Sequence, residues 1–271
     1  MREEKAFSIS DFAKFSRITR DALLFYDKIG LLPPASREGN NYRLYSTGQL
    51  AVVNVIRTLQ SLGMTLSEIK EFQDHRTPDS IRSLFERQIT MIDKKIDDWL
   101  RARKLLKFLM QTIDTASHAD ETKITVEHIP EKEIILGEQN DYSNGRSNYD
   151  ALFDFYMDMS RKHPDLDLNY PVWGMFSQER IKQRDWTWPD RYYFRNPEGF
   201  DRKPAGLYAI GYARGGYGQN DDLCNCVLDY IDANGYEISG PAYMEYPLNE
   251  ISVAENTNYL ACVMITVRKK V

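Results

Sequence analysis

Hydrophobic and polar positions alternate along this chain in short, well-punctuated stretches. Ser8 precedes an apolar pattern of Ile9, Phe12 and Ala13, with Asp11 three residues after the serine, as at a helix N-cap. A break at Ser16–Arg17 leads to a second helix, predicted from about Thr19 to Lys28, with Ala22, Leu23 and Tyr26 on one face. Gly30 ends it and Pro33–Pro34 prevents continuation. A polar loop, Ser36 to Asn41, is followed by the alternating Tyr42-Arg43-Leu44-Tyr45, which predicts a short hairpin or wing. Ser46 with Gln49, and Thr65 with Glu68, have capping-box spacing before the apolar runs that start at Leu50 and Ile69.

Thr77–Pro78 sets an N-cap before a proline at the first helical position, and no Gly or Pro follows until Pro130. Apolar residues recur at Phe85, Ile89, Ile92, Ile96, Trp99, Leu106, Met110 and Ile113, with Arg103 in the one polar slot. That narrow seam at heptad spacing predicts a long helix that pairs as a coiled coil. After a polar linker at 118–122 the period changes. Strands are expected at Lys123–Ile129, Glu133–Glu138, Val172–Ser177, Arg191–Arg195, Leu207–Ala213, Tyr243–Pro247 and Tyr259–Val267. Helices are expected at Tyr149–Arg161 and Leu223–Ala233. The order, strand-strand-helix-strand-strand roughly twice, predicts an α+β domain with a pseudo-duplicated sheet. The expected domains are therefore 1–76, 77–117 and 118–271.

Charge refines this picture. Residues 1–76 carry 11 Lys/Arg against 9 Asp/Glu, whereas residues 118–271 carry 16 against 25. A mildly basic head and an acidic tail suit a chain whose N-terminal part meets DNA. No run of 18 apolar residues occurs and the first residues are charged, unlike a signal peptide, so a cytoplasmic protein without a membrane span is expected. The three cysteines, Cys224, Cys226 and Cys262, form no disulfide framework. Cys224 and Cys226 lie two apart in a predicted helix, on different faces, which is a poor metal site.

In a helix-turn-helix the N-terminus of the second helix enters the major groove, where its dipole favours phosphate. Arg17, Thr19 and Arg20 are placed there, with Tyr26 further along, Tyr42 and Arg43 on the hairpin and Arg57 on the next helix. These seven are the candidate DNA contacts. At the other end, residues 118–271 hold 22 of the 33 aromatics, which offers faces for stacking and cation–π contact. No Ser-His-Asp or Cys-His constellation is apparent, and His128 and His163 have no obvious partners, so no catalytic residue is assigned.

The segments Ile9-Ser10-Asp11-Phe12-Ala13-Lys14, Asp21 to Leu32, Tyr42-Arg43-Leu44-Tyr45 and Leu59-x-x-Leu62-Gly63-Met64-x-Leu66-x-Glu68-Ile69 together resemble the MerR family of bacterial regulators. The resemblance implies a homodimer held by an antiparallel coiled coil. It also implies double-stranded promoter DNA with an over-long spacer, distorted so that RNA polymerase can engage both promoter elements. Leu24 stands where relatives usually carry Arg, so one phosphate contact is expected to be missing or supplied elsewhere. Metal-sensing relatives carry cysteines at both ends of the long helix; Arg76 to Asp79 and Thr115 to Ala119 contain none, and neither metal nor cofactor is expected.

The C-terminal part resembles the gyrase-inhibitor-like effector domain of multidrug-binding members, on Gly206-Leu207-Tyr208-Ala209 and Gly240-Pro241-Ala242-Tyr243. This implies a small lipophilic ligand, aromatic or cationic, and implies pocket roles for Tyr149, Trp173, Tyr208, Tyr212 and Tyr259. Relatives carry Glu directly after the tyrosine matching Tyr243; here Met244 intervenes and Glu245 follows, so either the register shifts near Pro247 and Glu245 serves, or the pocket lacks that acid. The competing readings are hydrolysis of small molecules by the C-terminal domain, and ligand-independent repression or DNA architecture.

Overall fold

The structure, a computed structural model, describes residues 6–270, so the charged start on which the signal-peptide argument rests lies largely outside the described residues. The chain forms two compact units, Met1–Asp97 and Asp98–Val271.

In the first unit, β1 (Ala6–Ser8), α1 (Ile9–Ser16), α2 (Arg20–Lys28), β2 (Ser36–Glu38), β3 (Tyr42–Ser46), α3 (Gly48–Ser61) and α4 (Leu66–Asp74) follow in order. The helices start at or within a residue of the expected positions. The Ser8 hydroxyl accepts the Asp11 N–H at 3.1 Å, and that of Thr19 accepts the Ala22 N–H at 3.1 Å. Thr65 and Glu68 form a reciprocal capping box. The box expected at Ser46 and Gln49 is displaced by one residue. Gln49 accepts the Ser46 N–H at 3.0 Å, but the cap is Thr47, already helical at φ −59°, and the Gln49 amide donates to the Pro33 carbonyl at 2.6 Å. Gly30, at φ +72°, reverses the chain after α2 so that Leu31 and Leu32 both donate to the Tyr26 carbonyl. The strands form a sheet in the order β1-β3-β2. The hairpin packs on the helices through Tyr45, whose ring stacks on Phe12 at 4.6 Å; Leu23, Ile56 and Ile69 complete the enclosed centre.

Helix α5 (Pro78–Ser117) is continuous, and the division between units falls inside it. Thr77 caps it, accepting the Ser80 N–H at 3.1 Å. Leu84 is buried in the first unit, and Phe108, Thr112 and Ala116 in the second. Most residues at heptad spacing stay on the surface: Phe85, Ile89, Ile96, Leu106 and Met110 are exposed and Trp99 is 71 % exposed, while Ile92 and Ile113 are half-buried.

The second unit continues with β4 (Thr125–Ile129), β5 (Lys132–Leu136), α6 (Asn148–Lys162), β6 (Val172–Phe176), α7 (Gln178–Lys182) and β7 (Arg191–Phe194). It closes with β8 (Asp201–Lys203), β9 (Gly206–Arg214), α8 (Asp221–Ala233), β10 (Tyr236–Leu248) and β11 (Leu260–Lys269). The eight strands form one sheet in the order β4-β9-β11-β10-β6-β7-β5-β8. Alternation along the strands sorts the core. Ala209, Val263 and Ile265 pack under α7 and α8, whereas Tyr208, Cys262 and Met264 line the opposite, aromatic face. Tyr192 and Phe194 pack under α6 with Phe155, while Tyr193 between them turns to the aromatic face.

Three features of the second unit depart from the expected elements. Strand β10 begins at Tyr236, seven residues before the predicted start. Ser239-Gly240-Pro241 reads as a break but is a register shift between Ile238 and Ala242, bridged by the Thr266 hydroxyl donating to the Pro241 carbonyl at 2.8 Å. Helix α7 and strand β8 are too short to carry a periodic signal.

Phe12→Ala should cost about 3–5 kcal/mol, because it opens a cavity beneath Tyr45 in a fully enclosed position. Denaturant unfolding would read this directly, and a loss below about 1 kcal/mol would mean that the hairpin collapses onto the gap.

Candidate functional site

Two surfaces gather the predicted side chains, one in each unit. In the first, the turn between α1 and α2 passes through Arg17 in the left-handed region (φ 54°), and the Thr19 cap fixes where α2 begins. Arg17, Thr19 and Arg20 are all exposed at that helix N-terminus. Tyr42 is exposed on β3. The Arg43 Nε donates to Asp27 at 2.6 Å, and Arg37 grips the same carboxylate with bonds of 2.7 and 3.0 Å. Burial alone would raise the Asp27 carboxyl, but the bonds from Arg43 and Arg37 outweigh it and hold it below the usual carboxylate range.

Two of the candidates are committed to the fold. Tyr26 is buried in the core, and its hydroxyl donates to Gln60 at 2.8 Å. The Arg57 guanidinium donates to the Ser16 carbonyl at 2.9 Å, which satisfies the end of α1. Helical spacing placed both on α2 and α3 but could not say which face each helix buries. Leu24 packs against this core.

In the second unit, Trp173, Tyr208, Tyr212, Glu245 and Tyr259 come to the same side of the sheet; all but Tyr212 and Glu245 are buried members of one aromatic cluster, against which Tyr212 packs. Tyr149 does not join them. It sits on the outer side of α6, 83 % exposed, because Ala151, Phe155 and Met159 form that helix's buried stripe. Glu245 reaches the aromatic face by plain alternation with Tyr243: the pairs Tyr243–Met264 and Glu245–Cys262 are in phase. The register shift expected near Pro247 is present, but it follows Glu245.

Glu245 is only 4 % exposed and is surrounded by donors. The Tyr193 hydroxyl donates to it at 2.9 Å and Arg195 Nη1 at 2.8 Å, while Lys203 Nζ lies 3.7 Å away. Lys203 is 1 % exposed, with its ammonium 4.4 Å over the Tyr243 ring and 5.3 Å over that of Tyr208. Arg195 lies over the Phe108 ring at 5.1 Å. Tyr193, Arg195 and Lys203 were not among the predicted site residues. Tyr193 and Arg195 lie in a predicted strand, but nothing in the sequence aims them at Glu245, and Lys203 sits on a strand three residues long.

The family model described as MerR HTH family regulatory protein matches residues 7–75, and that described as MerR, DNA binding matches residues 50–109. The multidrug-efflux transporter 2 regulator of Bacillus subtilis (strain 168) is 29 % identical over 271 residues, covering 98 % of each chain. Residues 7–109 carry the DNA-binding region of the MerR family. The multidrug-efflux transporter 1 regulator of the same organism is 31 % identical over 96 residues, 35 % of this chain and 34 % of that one. A solved EcmrR–DNA complex matches with 22 % identity and a TM-score of 0.40, over 98 % of this chain and 100 % of the other. This protein is a DNA-binding regulator homologous to multidrug-efflux regulators. No helix among its described residues is long and apolar enough to cross a membrane.

The charge cluster of this chain has a defined pH response. Burial would raise Glu245, but Arg195, Lys203, Lys132 and the Tyr193 hydrogen bond outweigh it and bring the carboxyl down to about 2. Lys203 is drawn down by burial to about 8, with Glu245 pulling the other way. A carboxylate lowered from its usual 4.5 stabilises the fold above that value, and the contribution is lost as pH falls from 4.5 through about 2. Lys203 has the opposite course, since the fold gains as pH rises from about 8 towards the lysine's usual 10.5. Glu245→Ala should cost about 3–5 kcal/mol at neutral pH, leaving buried cations without their partner. It should also flatten the acid limb of a melting-temperature profile; an unaltered profile would mean that the carboxylate is not what holds this face together.

Proposed function

We propose that the chain binds double-stranded promoter DNA as a homodimer, and that a small lipophilic molecule bound by residues 98–271 sets whether the spacer is distorted for RNA polymerase. The observation that carries the DNA reading is the exposed cationic N-terminus of α2, where the Thr19 cap leaves Arg17 and Arg20 free to approach phosphates. The β2–β3 hairpin is the wing, and Tyr42 and Arg43 make the flanking contacts. Arg43 does so with its terminal nitrogens, its Nε being held by Asp27. The exposed seam of α5 is the surface that pairs the two copies, since an apolar stripe of this length in water calls for a partner.

The repeat of β4-β5-α6-β6-β7 by β8-β9-α8-β10-β11 supports a pseudo-duplicated effector fold, interrupted by α7. The unit reads as a binding module and not as a hydrolase, because Glu245 is too weak a base at about 2, behind its cations, to activate water near neutrality.

Arg20→Ala should weaken DNA binding across sequences and lower the slope of log affinity against log salt by about 1. Arg57→Ala, by contrast, should lower stability and leave that slope in place; an unchanged slope for Arg20→Ala would remove it from the contacts. Ile96→Asp puts a charge in the centre of the seam and should give monomers in sedimentation. A dimer of parental strength would assign pairing to another surface.

A further inference from the structure

An effector-binding role for residues 98–271 leaves the charge of the ligand open, and any assignment of that charge rests on that role. The charges that face the aromatic side of the sheet do not balance. Glu245 on β10 supplies one negative charge. Arg195 after β7, Lys203 on β8 and Lys132 on β5, directly opposite Lys203 in the strand pairing, supply three positive ones. The other titratable groups buried there are neutral, and two further carboxylates, Glu127 and Glu250, stay at the exposed rim, Glu250 accepting the Tyr217 hydroxyl at 2.7 Å. Burial pushes the Cys262 thiol up to about 12, and the hydroxyls of Tyr193, Tyr208, Tyr212 and Tyr243 are all raised by burial. Glu127, opposite Tyr208 in the pairing of β4 with β9, is exposed and engages Thr125. Excess positive charge away from water is unfavourable, and an anion relieves it.

Two further observations point the same way. A cation held against aromatic faces beside a carboxylate is the arrangement that recognises a lipophilic cation. Here that position is filled from within by the Lys203 ammonium, on Tyr243, Tyr208 and Glu245. An incoming cation would have to displace a tethered one and would then face Arg195. In addition, the indole N–H of Trp173, in the same cluster and 3 % exposed, has no hydrogen-bond partner among the described residues. It is a donor without an acceptor.

We propose that the effector of this regulator is an aromatic anion, whose charge is taken by Lys203 and Arg195 and whose acceptor atom meets the Trp173 indole, and that Lys203 excludes lipophilic cations. Lys203 is then the specificity determinant of the unit. Because it is charged at neutrality and loses its proton above about 8, anion affinity falls as pH rises through that range.

Calorimetric titration of the full chain with three probes of one skeleton tests this: naphthalene-2-sulfonate, 2-naphthyl-trimethylammonium and 2-naphthamide. The sulfonate should bind at least about tenfold more tightly than the ammonium, as expected for one charge contact of opposite sign in a partly screened interior. Its affinity should drop several-fold between about pH 7 and about pH 9.5, across the lysine titration, although the sulfonate itself does not titrate. Lys203→Met should abolish the preference and admit the ammonium probe. Lys203→Gln, which keeps a polar head, gives the same comparison should the methionine variant fail to fold. Equal or tighter binding of the ammonium by the parent chain overturns the proposal while leaving the effector role intact. Binding of none of the three, with no shift in melting temperature, overturns both.

Discussion

The second unit depends on one buried carboxylate. Glu245 stands on β10 and Lys203 on β8, and four strand-to-strand steps separate them through β6, β7 and β5. In a flat sheet those steps would span about 19 Å. The side chains instead meet at 3.7 Å, and the Lys203 ammonium also reaches the Met264 sulfur on β11 at 3.1 Å. The sheet must therefore curl strongly, so that its β5–β8 edge folds over the aromatic face of β9–β11. The aromatic enclosure results from that curl: Tyr193 meets Tyr243 edge to face at 5.6 Å, and Tyr208 lies 6.3 Å from the same ring. Buried ion pairs are poor sources of net stability compared with well-packed apolar groups. What this one supplies is geometry, since Glu245 meets Tyr193, Arg195 and Lys203 together only when the β5–β8 edge is folded over.

Local signals made the first unit legible. Ser8, Thr65 and Thr77 each cap the helix expected of them, because an N-cap is satisfied within three residues and needs no tertiary information, and Thr19, expected inside the second helix, caps it instead. What the sequence did not reveal was commitment. Tyr26 and Arg57 lie on the predicted helices but turn to Gln60 and to the Ser16 carbonyl, partners 34 and 41 residues away. An arginine that satisfies a helix end and one that awaits a phosphate look the same in one dimension.

In the second unit, element types were readable and pairings were not. The alternation that puts Trp173, Tyr208 and Glu245 on one face is a property of single strands, whereas the company Glu245 keeps depends on which strands the curl brings together. Hence the aromatic residues could be named, Tyr149 was misplaced by a helix face, and the cations around the acid went unseen. The misread start of β10 has a similar origin. Gly240–Pro241 carries the letters of a turn, and only the neighbouring strand turns it into a bulge.

The Asp27 clamp has a consequence for the search along a chromosome. By holding Arg37 and Arg43 on one carboxylate, it fixes the hairpin's orientation before any nucleic acid is near. Little loop entropy then remains to be lost on encounter, so a productive landing requires alignment of a single rigid body. The same clamp dims the long-range field of those two guanidiniums. In the proposed DNA complex, attraction from a distance would fall to the uncovered arginines at the start of α2, and the hairpin would act only at close range, as a gauge of backbone position.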